Sequence, residues 1–412
     1  MPHRNRLSSL LAALLVAAPA CAVAADATPG LQLEWNARLR QETVDDDAFA
    51  RGADATTLRL RAGLRMHAAS GFDALLEGEG IAAAGAYNSG ANGRIDRPAI
   101  VDPGGVELNQ AWIGWRNGPF GVTAGRQRLQ FDNQRWIGNS GWRQNEQTFD
   151  ALALEFAPRK DIALRYAFLD RVHRVNGDDA LDPLARERAL SDHLFNATWK
   201  PGRQQLTGYG YLHEDRDAAG ASSATWGLRW SGSHPVGDAG FGWTLETARQ
   251  RDYANAPRSF SHGYWLLEPA LTVHGVTARL GWERLGGDGT HALQAPLGTL
   301  HAFNGWADKF LVTPADGLDD RYLGLGGAFG RERAGARATW QFAWHDYRAD
   351  HGDAHYGREW DASLGVPLAR GVNALLKFAD YRADGFAADT RKLWLQLEYS
   401  GSHRSPPRGT DR

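Results

Sequence analysis

One segment of the chain concentrates the residue types that could bind a charged sugar. It runs from Gly125 to Asp150 and is dense in Arg, Asn and Gln, with two Trp. Arginine offers a planar fork that matches carboxylates, amides match sugar hydroxyls, and indole rings suit the flat faces of sugars. The composition indicates a site for an anionic polysaccharide. A loop whose polar groups satisfy one another and the surrounding protein is the other interpretation, and both can hold. The candidate binding residues here are Arg126, Arg128, Arg135, Arg143 and Asn133.

No catalytic constellation stands out. Gly138-Asn139-Ser140-Gly141-Trp142 lacks the second glycine of a nucleophile elbow. The glycine-rich stretch from Gly324 to Gly330 has the wrong spacing for a dinucleotide loop, and no helix follows it. We therefore predict no enzyme activity and no cofactor.

Two loops contain candidate metal ligands. His345, Asp346, His351, Asp353 and His355 cluster in one segment, and Asp45-Asp46-Asp47 form a short acidic run. Imidazole and carboxylate suit transition metals, and a carboxylate run suits calcium. A solvated loop explains each pattern as well, so no metal is assigned.

The elements that must position these residues are strands. From Leu31 to Arg40, one face is Leu, Leu, Trp, Ala, Leu and the other is Gln, Glu, Asn, Arg, Arg. A second stretch sets Leu58, Leu60 and Leu64 against arginines. This period of two indicates strands, and its repetition along the chain is typical of an outer-membrane barrel, with apolar side chains in lipid and polar ones in the lumen.

Connections between these strands alternate between long and short. Long polar segments such as Val44 to Asp54 and Ala83 to Gly105 alternate with tight turns such as Asn117-Gly118-Pro119. The spacing predicts an all-β fold: a single transmembrane antiparallel β-barrel of 18 strands, with long extracellular loops and short periplasmic turns. Sixteen strands is the rival count. The last strand is predicted from Lys392 to Tyr399, followed by a polar tail from Ser400 to Arg412.

The N-terminus reads as a secretory signal peptide, residues 1–24. Arg4 and Arg6 precede an apolar stretch, and Ala22-Val23-Ala24 is a small-residue cleavage site. Removal leaves 44 basic and 48 acidic residues, a net charge of −4, which argues against a nucleic-acid partner. No linker divides the rest, so residues 25–412 are expected to form one barrel in the cell outer membrane.

Strand phase adds more candidate residues for the lumen. It assigns the lumen face to five arginines: Arg38, Arg40, Arg59, Arg61 and Arg65. Acidic residues share that phase, among them Glu77, Glu79 and Glu283. We expect the loop from Phe131 to Asn145 to fold into or over the lumen, because it carries two Trp beside many hydrogen-bonding groups.

The chain resembles the alginate-export outer-membrane proteins at three stretches: Glu107 to Trp112, Gly125 to Asp150, and Leu300 to Phe310. The resemblance implies an 18-stranded monomeric barrel with a basic constriction that passes a polyuronate outward. It also implies an anionic polysaccharide or uronate substrate, surrounding outer-membrane lipid, and periplasmic export proteins as candidate partners.

The predicted function is therefore an outer-membrane channel that passes an alginate-like polyuronate through an arginine-lined lumen. The alternative within transport is a porin for uptake of small anionic sugars or other small solutes. A barrel enzyme and a soluble β-rich polysaccharide-binding protein or lyase are the candidates from other classes.

Overall fold

The structure, a computed structural model, describes residues 30–333 and 335–405. The predicted signal segment, residues 1–24, lies outside the described residues. None of the helices among them is long or apolar enough to cross a membrane.

Eighteen antiparallel strands form one closed sheet, in which each strand pairs with its neighbours in sequence and β1 also pairs with β18. The strands are β1 Gly30–Asp46, β2 Ala53–His67, β3 Phe72–Ala86, β4 Gly105–Asn117, β5 Phe120–Gln127, β6 Thr148–Arg159, β7 Ile162–His173, β8 Glu187–Trp199, β9 Gln204–His213, β10 Ser223–Val236, β11 Ala239–Asp252, β12 Ser261–Val273, β13 Val276–Leu285, β14 Leu318–Arg333, β15 Ala336–Arg348, β16 His355–Ala369, β17 Val372–Ala383 and β18 Thr390–Arg404. One helical turn, α1 (Pro183–Arg186), and three 3-10 turns lie in the connections. The predicted count of 18 strands is confirmed, and the rival count of 16 is wrong.

Side-chain orientation follows the predicted alternation. In the β1–β2 ladder Leu33 lies opposite Leu64, and Leu39 lies opposite Leu58. All four are 40% exposed or more on the outer face, although they are large apolar residues. Exposed apolar side chains of this kind continue around the barrel, which is how a lipid-facing band is built.

Strand ends differ from the prediction because backbone pairing continues beyond the apolar alternation. Strand β18 runs to Arg404, so the first five residues of the predicted polar tail pair with β1, with Arg404 opposite Gln32. At the other end of the barrel, β1 and β2 shorten the first loop to residues 47–52. Paired backbone groups are satisfied whatever the side chains, so polarity alone misplaces these ends.

The buried core lies inside the barrel. Two long connections enter the lumen: the β5–β6 loop (residues 128–147) and the β13–β14 loop (residues 286–317). They meet each other and the wall in one apolar cluster, which includes Phe131, Trp136 and Ile137 of the first loop and Leu293, Leu297 and Phe310 of the second, packed with Tyr209, Tyr264, Tyr347 and Trp394 of the wall. The expectation that the segment from Phe131 to Asn145 folds inward is confirmed by this packing.

The outward-facing side chains of β2 predict that the stability cost of an arginine depends on its depth in the membrane. Leu60, in the middle of the strand, is 56% exposed outward, and Met66 shares its face near the strand end. Leu60→Arg should lower the free energy of unfolding by about 2–4 kcal/mol, because an arginine would enter the middle of the lipid, whereas Met66→Arg should cost about 0–1 kcal/mol. Denaturant unfolding of each variant in lipid vesicles measures the difference. Equal costs at the two positions would contradict the assigned membrane band.

Candidate functional site: the arginine-lined lumen

Four arginines of β1 and β2 form a ladder on the inner wall. Arg38 lies directly opposite Arg59, and Arg40 and Arg61 are the next inward-facing residues along their strands. All four are less than 10% exposed. Arg65, nearer the short-turn end, is more open and pairs with Glu34 at 3.1 Å and Asp73 at 3.3 Å. The strand-phase prediction that these five side chains face the lumen is confirmed.

The ladder donates hydrogen bonds to the backbone of the β5–β6 loop. Arg38 Nη1 lies 3.1–3.3 Å from the carbonyl oxygens of residues 141, 142 and 143. Arg40 Nη2 donates to the same carbonyl of Trp142 at 2.6 Å. Arg59 and Arg61 both donate to the carbonyl of Gln144, at 3.1 and 3.2 Å. The arginines thus satisfy carbonyls that have no strand partner.

Local sequence lets this loop turn inward and lie close to its neighbour. Asp132, Gln134 and Ser140 have positive φ angles, which reverse the chain within a few residues. At Gly138 a Cβ would lie 2.2 Å from Thr299 Oγ1, so a side chain there would collide with the β13–β14 loop. The Gly138 amide donates to the Leu297 carbonyl at 2.8 Å, which fixes the two loops together.

The arginines of the loop itself are paired with acids. Arg135 lies 2.9 Å from Glu283 of β13 and its guanidinium stacks 4.8 Å from the centre of the Phe303 ring. Arg143 lies 3.2 Å from Asp308 of the β13–β14 loop. Burial disfavours the charge of Arg143, but the surrounding acids, Glu42 first among them, raise its pKa above the ordinary value. Both arginines therefore hold the two loops and the wall together.

Arg128 sits at the boundary between the buried network and open space. Its side chain is 32% exposed, and it contacts Glu77 at 2.7 Å and also Glu146. Burial would raise the pKa of Glu146, but Arg61 and Arg128 beside it lower that pKa to about 2. Glu146 is consequently ionised at physiological pH and anchors the loop to β2.

The last two candidates of this segment are Arg126, which was expected to contact the transported anion, and Asn133. Arg126 lies on the outward face of β5 with Phe120 and Ala124, and pairs with Asp150 at 3.0 Å. The structure does not bring it to the lumen, because the phase of β5 directs its side chain outward. Asn133 accepts a hydrogen bond from the Arg135 amide at 3.3 Å, so it shapes the turn of the loop.

Trp142 is enclosed by cations and rings. The guanidinium of Arg40 and the ammonium of Lys377 each lie 4.1 Å from the centre of its ring. His301 stacks on it at 4.7 Å, and Trp394 meets it edge-on at 5.8 Å. These contacts make the tryptophan a packing element of the inward loop.

A vestibule of about 760 Å³ opens below the ladder, toward the short-turn end of the barrel. Arg38, Arg59, Arg61 and Arg128 reach its lining, together with Glu77, Glu146 and Glu398. Glu398 of β18 pairs with two residues of the ladder, at 3.2 Å from Arg38 and 3.7 Å from Arg59. The alternation of inward and outward residues along β18 assigns Glu398 to the lumen face, so the sequence could have indicated its position.

Other lumen residues were missed by sequence reasoning. Lys377 and Lys392 are buried cations on the inner faces of β17 and β18, and Lys392 lies 2.8 Å from Asp308. Asp102, from the β3–β4 loop (residues 87–104), accepts the Gln144 amide at 2.8 Å and pairs with Arg40 at 3.4 Å. Strand phase applied to β17 and β18 would have found the lysines, but nothing local marks Asp102.

Among the described residues, neither candidate metal cluster assembles a set of three ligands, although His355 Nε2 lies 2.9 Å from Asp346 Oδ1. His345 faces the lumen beside Asp320 at 2.9 Å, whereas Asp346 is on the opposite face of β15. Asp46 pairs with Lys309 at 2.6 Å. Across residues 30–333 and 335–405, no group of three or more His, Cys, Asp or Glu is arranged to hold a metal ion.

Comparison with known proteins agrees with this architecture. The chain is similar in fold to Pseudomonas aeruginosa OpdK solved with vanillate (TM-score 0.70, 16% identity, 90% of this chain and 99% of that one). It is likewise similar to Pseudomonas aeruginosa OccK9, also called OpdG (TM-score 0.71, 14% identity, 90% of this chain and 98% of that one), and to Acinetobacter baumannii OccAB4 (TM-score 0.70, 12% identity, 91% of this chain and 98% of that one). OpdK is an outer-membrane protein. No curated protein sequence matches the chain.

The family model for alginate export matches residues 30–282, which is more than half of the chain. The match covers β1 to β12, most of β13, the arginine ladder and the whole β5–β6 loop. The chain therefore belongs to the alginate export family, and it is an outer-membrane β-barrel channel.

Proposed function

We propose that this channel passes carboxylate-bearing saccharides, with an alginate-like polyuronate as the first candidate. The observation that carries the proposal is the convergence of Arg38, Arg59, Arg61 and Arg128 on one vestibule at the short-turn end. Guanidinium groups match carboxylates bidentately, so a row of them offers repeated weak sites along a path. Passage requires such exchangeable sites and no single tight one.

The ladder can bind a solute carboxylate only by giving up part of its present contacts. Its present partners include the neutral carbonyls of residues 141–144 beside carboxylates such as those of Glu398 and Glu79. A hydrogen bond to a carboxylate is roughly twice as strong as one to a neutral acceptor. A polyuronate entering the vestibule would therefore exchange its carboxylates for these carbonyls and free the inward segment from the β1–β2 wall.

Local charge must override the net charge of the chain. Glu77, Glu146 and Glu398 balance much of the positive charge in the vestibule. Arg128 and Arg65 are the most open of the inward-facing candidate arginines, with side chains 32% and 29% exposed. Bulk charge is screened over about 8 Å at physiological salt, whereas charges in a narrow lumen are screened less. These two positions therefore decide the sign of the ion preference.

Uptake of small anionic sugars is the second candidate, favoured by the filled lumen. The β5–β6 and β13–β14 loops occupy the interior, and the remaining vestibule of about 760 Å³ has the size of a small-molecule site, typically about 300–1,000 Å³. One or two uronate residues suit this space without movement of the inward loops. A polymer would have to displace the segment from Gly141 to Gln144.

The ion preference tests the role of the two most exposed lumen arginines, Arg65 and Arg128. Wild-type channels in planar bilayers should prefer anions, and Arg65→Gln/Arg128→Gln should lower the anion-to-cation permeability ratio by roughly fivefold or more, because one charge at 4 Å is worth about 1 kcal/mol even in water. The reversal potential in a salt gradient measures this ratio. Arg126→Gln, on the outer face, is the control and should leave the ratio unchanged.

Two outcomes of this experiment would contradict the proposal. A wild-type channel that prefers cations would show that the vestibule acids dominate. An unchanged ratio in the double variant, with the control also unchanged, would show that Arg65 and Arg128 do not set the preference.

The length of the substrate separates the two candidates. If a polyuronate is threaded, purified oligouronates should block single-channel current with dwell times that grow with chain length, because each added residue adds a carboxylate. Neutral glucans of equal length are the control. If a small-solute porin is the better description, dwell time should not grow with length, while uronate monomers should permeate in liposome swelling.

A further inference from the structure

Outward-facing arginines surround the long-loop end of the barrel. From β13 to β18 each of them has a carboxylate partner on the same rim. The pairs are Arg284 with Asp350, Arg321 with Asp319, Arg348 and Arg358 with Asp346, and Arg382 and Arg391 with Asp380. Asp389 also pairs with Arg382, so five carboxylates offset these six arginines and most of the positive charge on this part of the rim is compensated.

The rim of β11 differs. Arg249 and Arg251 are exposed on the face of β11 that carries Leu245 and Trp243. Arg249 Nε donates to Ser261 Oγ at 2.8 Å. Within residues 30–333 and 335–405, no carboxylate oxygen lies within 4.0 Å of either guanidinium, in contrast to the ion pairs of β13 to β18. These two cations are therefore uncompensated at the outer surface.

Two tryptophans place this pair relative to the membrane. Trp226 of β10 lies directly opposite Arg249, and Trp265 of β12 lies opposite Thr247, one outward position deeper. They are 49% and 53% exposed outward. Aromatic residues at both ends of the apolar band mark the membrane interfaces in barrels of this class. Arg249 is thus level with the interface, and Arg251 lies just outside it.

We propose that Arg249 and Arg251 form a docking site for a phosphorylated glycolipid of the outer leaflet. The long loops mark the extracellular side, so the lipids beside this rim belong to that leaflet. Arginine forks bind phosphate bidentately, and the two guanidinium groups present like charge with no carboxylate oxygen of the described residues within 4.0 Å. The exposed faces of Trp226 and Trp265 would pack against the sugar rings and upper acyl chains of the same lipid. This inference does not depend on what the channel transports.

Binding of lipid A to delipidated protein tests the proposal. Full-length mature protein in detergent is titrated with diphosphorylated lipid A, and complexes are counted by native mass spectrometry. Arg249→Gln/Arg251→Gln should weaken binding roughly 30-fold, since each basic residue near an anionic lipid surface is worth about a factor of five. Arg321→Gln/Arg382→Gln removes the same charge from paired arginines and should change binding much less. Heat-modifiable gel migration confirms that every variant is folded.

The probe distinguishes the phosphate from the rest of the lipid. Dephosphorylated lipid A should bind wild type and the Arg249/Arg251 variant equally weakly. Equal binding of diphosphorylated lipid A by the two proteins would overturn the proposal, as would a loss of equal size in the paired-arginine control. A concentration-dependent dimer that disappears in the Arg249/Arg251 variant, with lipid binding unchanged, would assign the surface to a second copy of the chain instead.

Discussion

The contact on which the interior depends is the hydrogen bond from a wall arginine to a backbone carbonyl of the inward loop. A loop that enters a barrel without pairing as a strand leaves carbonyl groups that must find donors. Each guanidinium offers five N–H donors and no acceptor, so a few arginines can satisfy a whole turn. Arg38, Arg40, Arg59 and Arg61 do this for the carbonyls of residues 141–144. These hydrogen bonds fix the position of the inward β5–β6 loop, which acts as a plug in the lumen, and with it the shape of the vestibule.

Concentrating arginine in a lumen requires acids to offset it. Glu79 pairs with Arg61, Glu398 with Arg38 and Asp102 with Arg40. A buried ion pair is weak evidence for stability, but losing one partner leaves an uncompensated charge, which is strongly destabilising. Acids therefore offset much of the positive charge in the lumen, but less so at some positions than at others. The most exposed arginines lie at the edge of the ion-pair network. That arrangement lets one set of residues brace the plug while others meet a solute.

The alternation of apolar and polar residues with a period of two predicts most of the fold. A period of two, read with alternating connection lengths, predicted 18 strands and the lumen face of the β1 and β2 arginines, because strand phase is a local property. The β5–β6 loop was expected inside because its tryptophans and amides need partners. The contact of Arg143 with Asp308 joins residues 165 positions apart, and that of Arg135 with Glu283 is nearly as distant in sequence, so no local pattern encodes them. The segment from Gly125 to Asp150 makes Arg126 a candidate binding residue by its composition, but composition does not tell which face of β5 carries the side chain.

Hydrogen–deuterium exchange of the inward segment tests the central claim most directly. In wild type and in Arg59→Gln/Arg61→Gln, both in lipid nanodiscs, the amides of residues 143–147 are compared with those of the strands. An unsatisfied buried carbonyl costs about 1–3 kcal/mol, so exchange in this segment should rise roughly tenfold or more while strand amides far from β2 stay protected. Exchange in the segment that matches wild type, or that rises equally throughout the barrel, would contradict the claim that the arginine ladder holds the plug.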